Sequence, residues 1–336
     1  MQIIPACPLQ ALNTFKIAAS CKQLIIMEQA AELDGLRETH VFDDKFYILG
    51  GGSNTLFTQD FDGSIIQLKA KGITIIEETQ EYVVLEVGAG EEWADFLQYC
   101  LTNNLYGAEN LTDIPGWVGS APMQNIGAYG VEVKDIITKV NITHLQTGIK
   151  TSLSNQECQF GYRSSIFKTA LKNRTIITSV QFKLSKKPIF SLSYQGLQNY
   201  LEQSQLPLCL ENVTKAVQQL RKEKLPDLDE LGCAGSFFKN PIIPMVQYLQ
   251  LQKKYPKLAS YPIDKDHCKV PAGALIEYCG LKGHREGAVG IYPKQALVIV
   301  NYGEATGAEI DVFSRKVIQN VNNLLGIELE REVNII

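Results

Sequence analysis

The period of hydrophobic and polar positions changes several times along this chain, and the changes mark its elements. Lys45-Phe46-Tyr47-Ile48-Leu49 is strand-like and runs into Gly50-Gly51-Gly52-Ser53-Asn54. Residues 81–87 predict a second strand, followed by Gly88-Ala89-Gly90. Residues 91–103 then read with helical period, which puts Trp93, Phe96, Leu97 and Cys100 on one face. Strand-like runs return at 137–144, 176–184 and 296–300. A helix is predicted over 211–223, stopping before Pro226, because a proline disfavours helical geometry in the residue ahead of it. A short helix over 272–279 should close at Gly280, a residue that tolerates the left-handed turn of a helix end. Thr306-Gly307-Ala308-Glu309 fits a capping box and opens a helix with Ile310, Phe313, Val317, Val321 and Leu324 on its apolar stripe. A last strand is predicted over 328–335.

Strands and helices mix without a regular strand–helix–strand repeat, so an α+β class is favoured over a doubly wound sheet. Residues 114–130 break every period, with four glycines and two prolines. A long irregular stretch inside a compact domain is usually functional. Glycines let backbone approach a flat or anionic ligand, and prolines hold the loop still.

Composition narrows the classes. A chain of 336 residues exceeds most single cores, so two or three domains are expected. A net charge of -4 argues against a nucleic-acid binder, which would show a basic face. The cluster Arg221-Lys222-Glu223-Lys224 suits one diphosphate, or equally the solvated end of a helix. Eight cysteines without Cys-x-x-Cys spacing, behind an N-terminus with no secretory pattern, read as reduced cytosolic thiols. No apolar run reaches membrane-spanning length, so a soluble protein that engages no membrane is expected. Four histidines without ligand spacing leave no metal site to expect.

Several residues could carry chemistry, each with a plain alternative. A glycine loop after a strand brings backbone amides to a phosphate, yet residues 50–54 miss the dinucleotide fingerprint and could be a simple turn. Arg163, after Phe160-Gly161-Tyr162, has a fork of donors that matches a carboxylate, or pairs at the surface. Ser236, in Gly235-Ser236-Phe237-Phe238-Lys239-Asn240-Pro241, is a proton donor or a turn cap. Glu332, between Arg331 and Val333, reads locally as solvent-facing.

Taken in order, the 114–130 segment, Phe-Gly-Tyr-Arg, Gly-Ser-Phe-Phe-Lys-Asn-Pro and the closing Arg331-Glu332-Val333 resemble the UDP-N-acetylenolpyruvoylglucosamine reductase family. The resemblance spans residues 13–333. It implies FAD-binding domains of the vanillyl-alcohol-oxidase type (PCMH-like) over 1–70 and 71–200. It also implies a substrate-binding α+β domain over 201–336, its last strand returning toward the flavin. The implied activity is NADPH-dependent reduction of UDP-N-acetylglucosamine-enolpyruvate to UDP-N-acetylmuramate, in the cytoplasm, by a monomer serving cell-wall synthesis. Arg163, Ser236 and Glu332 align with the catalytic groups. Gly50, Gly51, Gly52, Ser53, Asn54, Pro115, Gly116, Gly119, Gln124, Asn125, Gly127, Ala128, Tyr129 and Gly130 align with the cofactor cradle. Tyr194, Lys224, Asn240, Tyr261 and Gln295 align with groups that hold the substrate, and Tyr261 marks the type I subclass with a lid loop.

Relatives in the wider class attach flavin through a histidine in the first glycine loop. Here that loop holds Ser53 and Asn54, so the FAD should be noncovalent. One departure stands out: many family members carry a basic residue two positions after the terminal glutamate, where this chain has Asn334. Two rivals remain in view, a flavin oxidase of the same fold and a flavin-binding module without catalysis. The first would call for a covalent-attachment histidine or a different substrate domain, the second for loss of Arg163, Ser236 or Glu332.

Overall fold

The computed structural model of the chain describes every residue from Met1 to Ile336. Two compact units share the chain. The first gathers Met1–Cys7, Cys21–Gly51 and Asp62–Lys222, the second Pro8–Ser20, Gly52–Phe61 and Glu223–Ile336. Both mix strands with helices, as the absence of a regular repeat predicts.

In the first unit, a five-stranded antiparallel sheet runs in the order Lys150–Ser154, Ile137–His144, Thr175–Ser185, Tyr82–Gly88, Ile73–Glu78. Its strands alternate as a half-buried sheet requires, with Val180, Phe182 and Leu184 fully buried along Thr175–Ser185. The helix Trp93–Thr102 lays its predicted face on this sheet. Phe96 stacks on Phe182 with ring centroids 4.6 Å apart, and Trp93 meets the same ring edge-on at 6.0 Å. Trp93 Nε1 donates to the Leu111 carbonyl at 2.9 Å, so the indole is buried without an unpaired donor. Truncating such an aromatic to alanine typically costs about 3–5 kcal/mol.

A four-stranded sheet stands beside it, in the order Gln2–Pro8, Ser20–Met27, Phe61–Leu68, Phe46–Ile48. The last two run parallel, and Phe46–Ile48 delivers the chain to the glycine loop. Helices Gln195–Ser204 and Leu210–Lys224 pack around Leu197, Val213, Ala216, Val217 and Leu220, with Tyr129 against them.

The second unit has a sheet ordered Gly232–Ser236, Val298–Asn301, Val289–Ile291, Arg285–Glu286. The helix Gly307–Leu325 opens on the expected capping box: Glu309 N–H donates to Thr306 Oγ1 and Thr306 N–H to Glu309 Oε2. It closes on Gly326 at φ +66°. Its buried stripe ends at Leu325, which is 5% exposed, and not at the expected Leu324, which is 44% exposed. From Val317 the contact face advances in steps of four, which keeps it on the same side of a 3.6-residue helix.

The expected last strand over 328–335 is also corrected. Only Asn334–Ile335 forms strand, parallel to Thr55–Leu56, while Arg331 makes an isolated bridge to Phe238. The segment changes partner at Glu332, so no single ladder can run its length. No helix in the chain is long and apolar enough to cross a membrane.

Candidate active site

In the first unit, the glycine loop lies backbone to backbone on the irregular 114–130 segment. A Cβ on Gly50 would stand 2.2 Å from Ser120 Oγ, and one on Gly51 would stand 3.0 Å from the Gly116 Cα. Side chains at these positions would hold the two loops apart. The irregular segment is itself tied to the 88–93 turn: Gly119 N–H donates to Ala89, Val118 to Glu91, and Trp93 to the Gly116 carbonyl. Gln67 is 2% exposed and donates Nε2 to the Gly50 carbonyl at 3.1 Å, while its buried Oε1 has no hydrogen-bond partner. In the second unit, Gly52 has φ +65°, and its N-terminal neighbour in space is Leu12, whose carbonyl oxygen a Cβ would approach to 1.9 Å.

Arg163 sits at the tip of a two-residue turn closed by reciprocal backbone bonds between Gly161 and Ser164. Its φ is +51°, and Asn125 and Tyr129 of the irregular segment are also left-handed, each at +49°. Such geometry costs about 1–3 kcal/mol per non-glycine residue and persists only where surroundings impose it. Asn125 supplies part of that constraint. It is fully buried, donates Nδ2 to the Gly161 carbonyl and to Glu132 Oε2, and accepts from Lys134 N–H. Arg163 Nη2 donates to the Gly127 carbonyl at 2.7 Å, which aims the guanidinium. Tyr129 meets Tyr194 edge-on at 5.1 Å, and Gly130 packs where a Cβ would stand 2.5 Å from Ser193 Oγ. Gln124 and Ala128 are half-buried within the same segment, and Pro115 is exposed.

The strand that ends at Ser236 and the segment that carries Glu332 are backbone neighbours within the second unit. Along Gly232–Ser236 the register pairs Gly232 with Asn301 and Cys233 with Val300, then Ser236 with Val298. One residue is extra, and Gly235 at φ +65° absorbs it. Such a bulge re-aims the side chain that follows. A Cβ built on Gly235 meets nothing within 4 Å, so open space lies beside Ser236. Phe237 and Phe238 are 0% and 1% exposed and anchor the strand behind it. Glu332 N–H donates to the Phe237 carbonyl at 2.8 Å, and Lys239 N–H to Glu330 at 2.9 Å. Glu332 is 9% exposed, against its local sequence reading as a solvent-facing residue. Its neighbour Arg331 is held by Asp311, Nη1 to Oδ1 2.7 Å.

The aligned substrate residues are spread over both units. Tyr194 belongs to the first; Lys224, Asn240, Tyr261 and Gln295 belong to the second. Lys224 is the last residue of its helix and half-buried. Asn240 Oδ1 accepts from Ala272 N–H at 2.9 Å, and Gln295 Oε1 lies 3.2 Å from where a Cβ on Gly273 would stand. Both amides therefore converge on the start of helix Ala272–Tyr278. Tyr261 is 55% exposed on the short strand Tyr261–Pro262.

Sequence reasoning missed three polar groups. Gln67 holds the Gly50 carbonyl, and a lone amide inside the apolar strand Phe61–Leu68 was the available signal. Asn110 Nδ2 donates to the carbonyls of Tyr129 and Ser191, tying the irregular segment to the approach to Tyr194. Glu109 is 5% exposed and accepts from Gly107 N–H at 2.7 Å; burial pushes its carboxyl above the ordinary range. Nothing local in the sequence marks those two.

Comparison with known proteins adds independent findings. The family model described as UDP-N-acetylenolpyruvoylglucosamine reductase, C-terminal domain, matches residues 227–336, and one described as FAD binding domain matches 27–151. The chain is 44% identical over 338 residues to the UDP-N-acetylenolpyruvoylglucosamine reductase of Flavobacterium johnsoniae, covering 100% of each. It is 43% identical over 330 residues to that of Porphyromonas gingivalis, covering 98% of each. The crystal structure of the reductase from Thermus caldophilus superposes with a TM-score of 0.69 at 23% identity, covering 99% of this chain and 98% of that one, which shows the shared fold.

Proposed function

The chain belongs to the UDP-N-acetylenolpyruvoylglucosamine reductase family, and from that premise we propose how its residues divide the work. It is an FAD-dependent oxidoreductase that reduces the enolpyruvyl ether of its UDP-sugar substrate, with NADPH as reductant. FAD held by these loops would supply the hydride chemistry that links NADPH to the methylene carbon of the substrate.

The residues present suit FAD. Glycines stand where any Cβ would push the loops apart, and Gln67 leaves a buried oxygen unsatisfied beside Gly50. We assign Gly50, Gly51, Gly52, Ser53 and Asn54, with Pro115, Gly116, Gly119, Gln124, Gly127, Ala128, Tyr129 and Gly130, to hold the cofactor. Asn125 serves through the turn that it braces. No histidine is available in the first loop, so the cofactor is held without a covalent bond.

Arg163 binds the enolpyruvyl carboxylate through its fork, and its positive charge offsets the negative charge that develops there as the double bond is reduced. The electron pair of that bond moves toward the carbon bearing the carboxylate. Ser236 Oγ–H gives its proton to this carbon and recovers one from solvent, while Glu332 stabilises the enol form of the carboxylate. The observation that supports this assignment is the Glu332 N–H bond to the Phe237 carbonyl, which runs the segment of the glutamate along the residue that follows the bulged serine. Lys224, Asn240, Tyr194, Tyr261 and Gln295 hold the diphosphate and sugar, with Tyr261 on a lid loop of the type I subclass.

On this reading, segments 1–70 and 71–200 serve the cofactor and 201–336 the substrate. The product feeds peptidoglycan synthesis in the cytoplasm, and so cell shape and division. The test is spectroscopic. Purified protein should be yellow, bleach anaerobically with NADPH and regain colour with UDP-N-acetylglucosamine-enolpyruvate. Colourless protein, or colour restored by oxygen but not by that substrate, would overturn the reading.

A further inference from the structure

The chain just after Glu332 makes a clamp that none of these roles uses. Asn334 donates both its backbone N–H and its side-chain Nδ2 to the Asn54 carbonyl oxygen, at 3.1 and 3.0 Å. Asn54 in turn donates its own Nδ2 to the Glu332 carbonyl oxygen at 3.3 Å. The three bonds close a ring between the glycine loop and the segment of Glu332. Beyond the ring, Asn334 and Ile335 pair in parallel with Thr55 and Leu56, and Thr58 donates its N–H and hydroxyl to the Ile336 carbonyl. On its other flank the loop is seated by Thr14 N–H, which donates to the Gly52 carbonyl at 3.3 Å.

A two-residue parallel pair is a weak constraint by itself. Backbone bonds leave it free to twist, whereas a side-chain amide on the same carbonyl fixes the rotation of that peptide. The Asn54 side chain then transmits the position to the Glu332 backbone. We propose that Asn334 is a positioning residue that sets the FAD loop and Glu332 in one register. The proposal rests on the assignment of residues 50–54 to FAD and of Glu332 to the reacting end of the substrate. It requires a short donor at position 334. Aspartate has the same shape but would place a carboxylate oxygen against the Asn54 carbonyl, and alanine removes the second donor while keeping the ladder bond.

The test compares Asn334→Ala, Asn334→Asp and Asn54→Ala with the wild-type holoenzyme. FAD dissociation is read from the flavin fluorescence that appears on dilution. The two half-reactions are followed by stopped flow at saturating FAD, and the urea midpoint is measured. One neutral hydrogen bond corresponds to about fivefold in an equilibrium constant. Asn334→Ala should therefore weaken FAD binding about fivefold and slow reoxidation by the enolpyruvyl substrate by a similar factor. Asn334→Asp should do more, about tenfold or beyond. In the two Asn334 variants, reduction by NADPH and the urea midpoint should stay near wild type, while Asn54→Ala, which also strips a side chain from the assigned cofactor loop, should weaken FAD binding at least as much as Asn334→Ala. Wild-type FAD affinity and reoxidation in both Asn334 variants would overturn the clamp. So would an equal fall of both half-reactions together with the urea midpoint, which is the signature of a structural role. Wild-type protein that holds no FAD would instead overturn the functional reading, and the clamp with it.

Discussion

Replacing Ser236 by alanine removes one half-buried oxygen and leaves the geometry around it to the backbone. The bulge is held by Gly235 at φ +65° and by the Phe237 N–H bond to Leu297 at 2.8 Å. Glu332 is seated by a further backbone bond to Phe237. None of these involves the serine side chain, and Phe237 and Phe238 keep the strand anchored in the core. Stability should change by less than about 1 kcal/mol, the usual range for a side chain that leaves no buried partner behind. The rate consequence is far larger. A positioned general acid contributes about 10²–10⁴ in rate, equivalent to about 2.7–5.4 kcal/mol of barrier. The loss should fall on one half-reaction alone. In stopped flow, flavin reduction by NADPH should proceed at close to the wild-type rate, because no serine proton enters it. Reoxidation by the enolpyruvyl substrate should slow by at least a hundredfold, about the lower bound above. Gly235→Ala makes the contrasting perturbation. It meets no atom within 4 Å but forces a Cβ into left-handed backbone, so it should slow the same step and also lower stability by about 1–2 kcal/mol. Equal slowing of both half-reactions by Ser236→Ala would make the residue an organiser of the site, and slowing of neither would refute its role as acid.

Arg163→Lys keeps the charge but loses the fork, and should retain flavin while turnover falls by about 10²–10³; near-normal turnover would mark the arginine as structural. Acid precipitation should release the yellow colour to the supernatant, and colour retained in the pellet would contradict a noncovalent cofactor. Asn125→Ala strips three hydrogen bonds from a fully buried site and should cost about 2–4 kcal/mol in urea unfolding, with turnover falling as the Arg163 turn loosens; an unchanged midpoint would show that the turn is braced elsewhere. Thiol titration of the native protein at pH 8 should show one fast-reacting group, the exposed Cys209. Cys158 is fully buried, and burial pushes its thiol up to about 12, so rapid labelling there would contradict the packing.

Much of this was legible in the chain because certain residues announce their geometry. Gly50, Gly51, Gly119 and Gly235 each stand where a side chain is either blocked or strained, and a glycine run interrupted by prolines has few other uses. Thr306 and Glu309 define a helix start through two hydrogen bonds that any reader of the sequence can anticipate. What stayed hidden depends on partners distant in sequence. Glu332 looks solvated until Phe237, nearly a hundred positions earlier, covers its amide. The closing segment reads as one strand because its alternation is continuous, yet it has two partners, Phe238 and then Thr55–Leu56. Leu324 and Leu325 are adjacent and equally apolar, so only tertiary packing chooses between them. Gln67 and Asn110 act on backbone carbonyls, and a carbonyl carries no sequence signature.

The order in which the ribosome presents these pieces bears on how the second unit forms. Its core includes Phe15 and Phe57, but the strand that receives Phe15 begins at Gly232, and Asn301 Nδ2 donates to the Phe15 carbonyl across 286 positions. Cys233 N–H likewise donates to the Thr14 carbonyl. At about 5–20 residues per second, residues 8–20 wait roughly 15–60 s between emerging and meeting Asn301. For most of that interval Leu9, Phe15 and Ile17, all buried in the finished protein, have only residues 52–61 of their own unit beside them. Closing loops of this length makes the step slow compared with the local sheet of residues 137–185. The first unit can therefore complete its antiparallel ladders while the second is still an open chain, and a fragment starting at residue 227 would emerge with the slot for Phe15 unfilled.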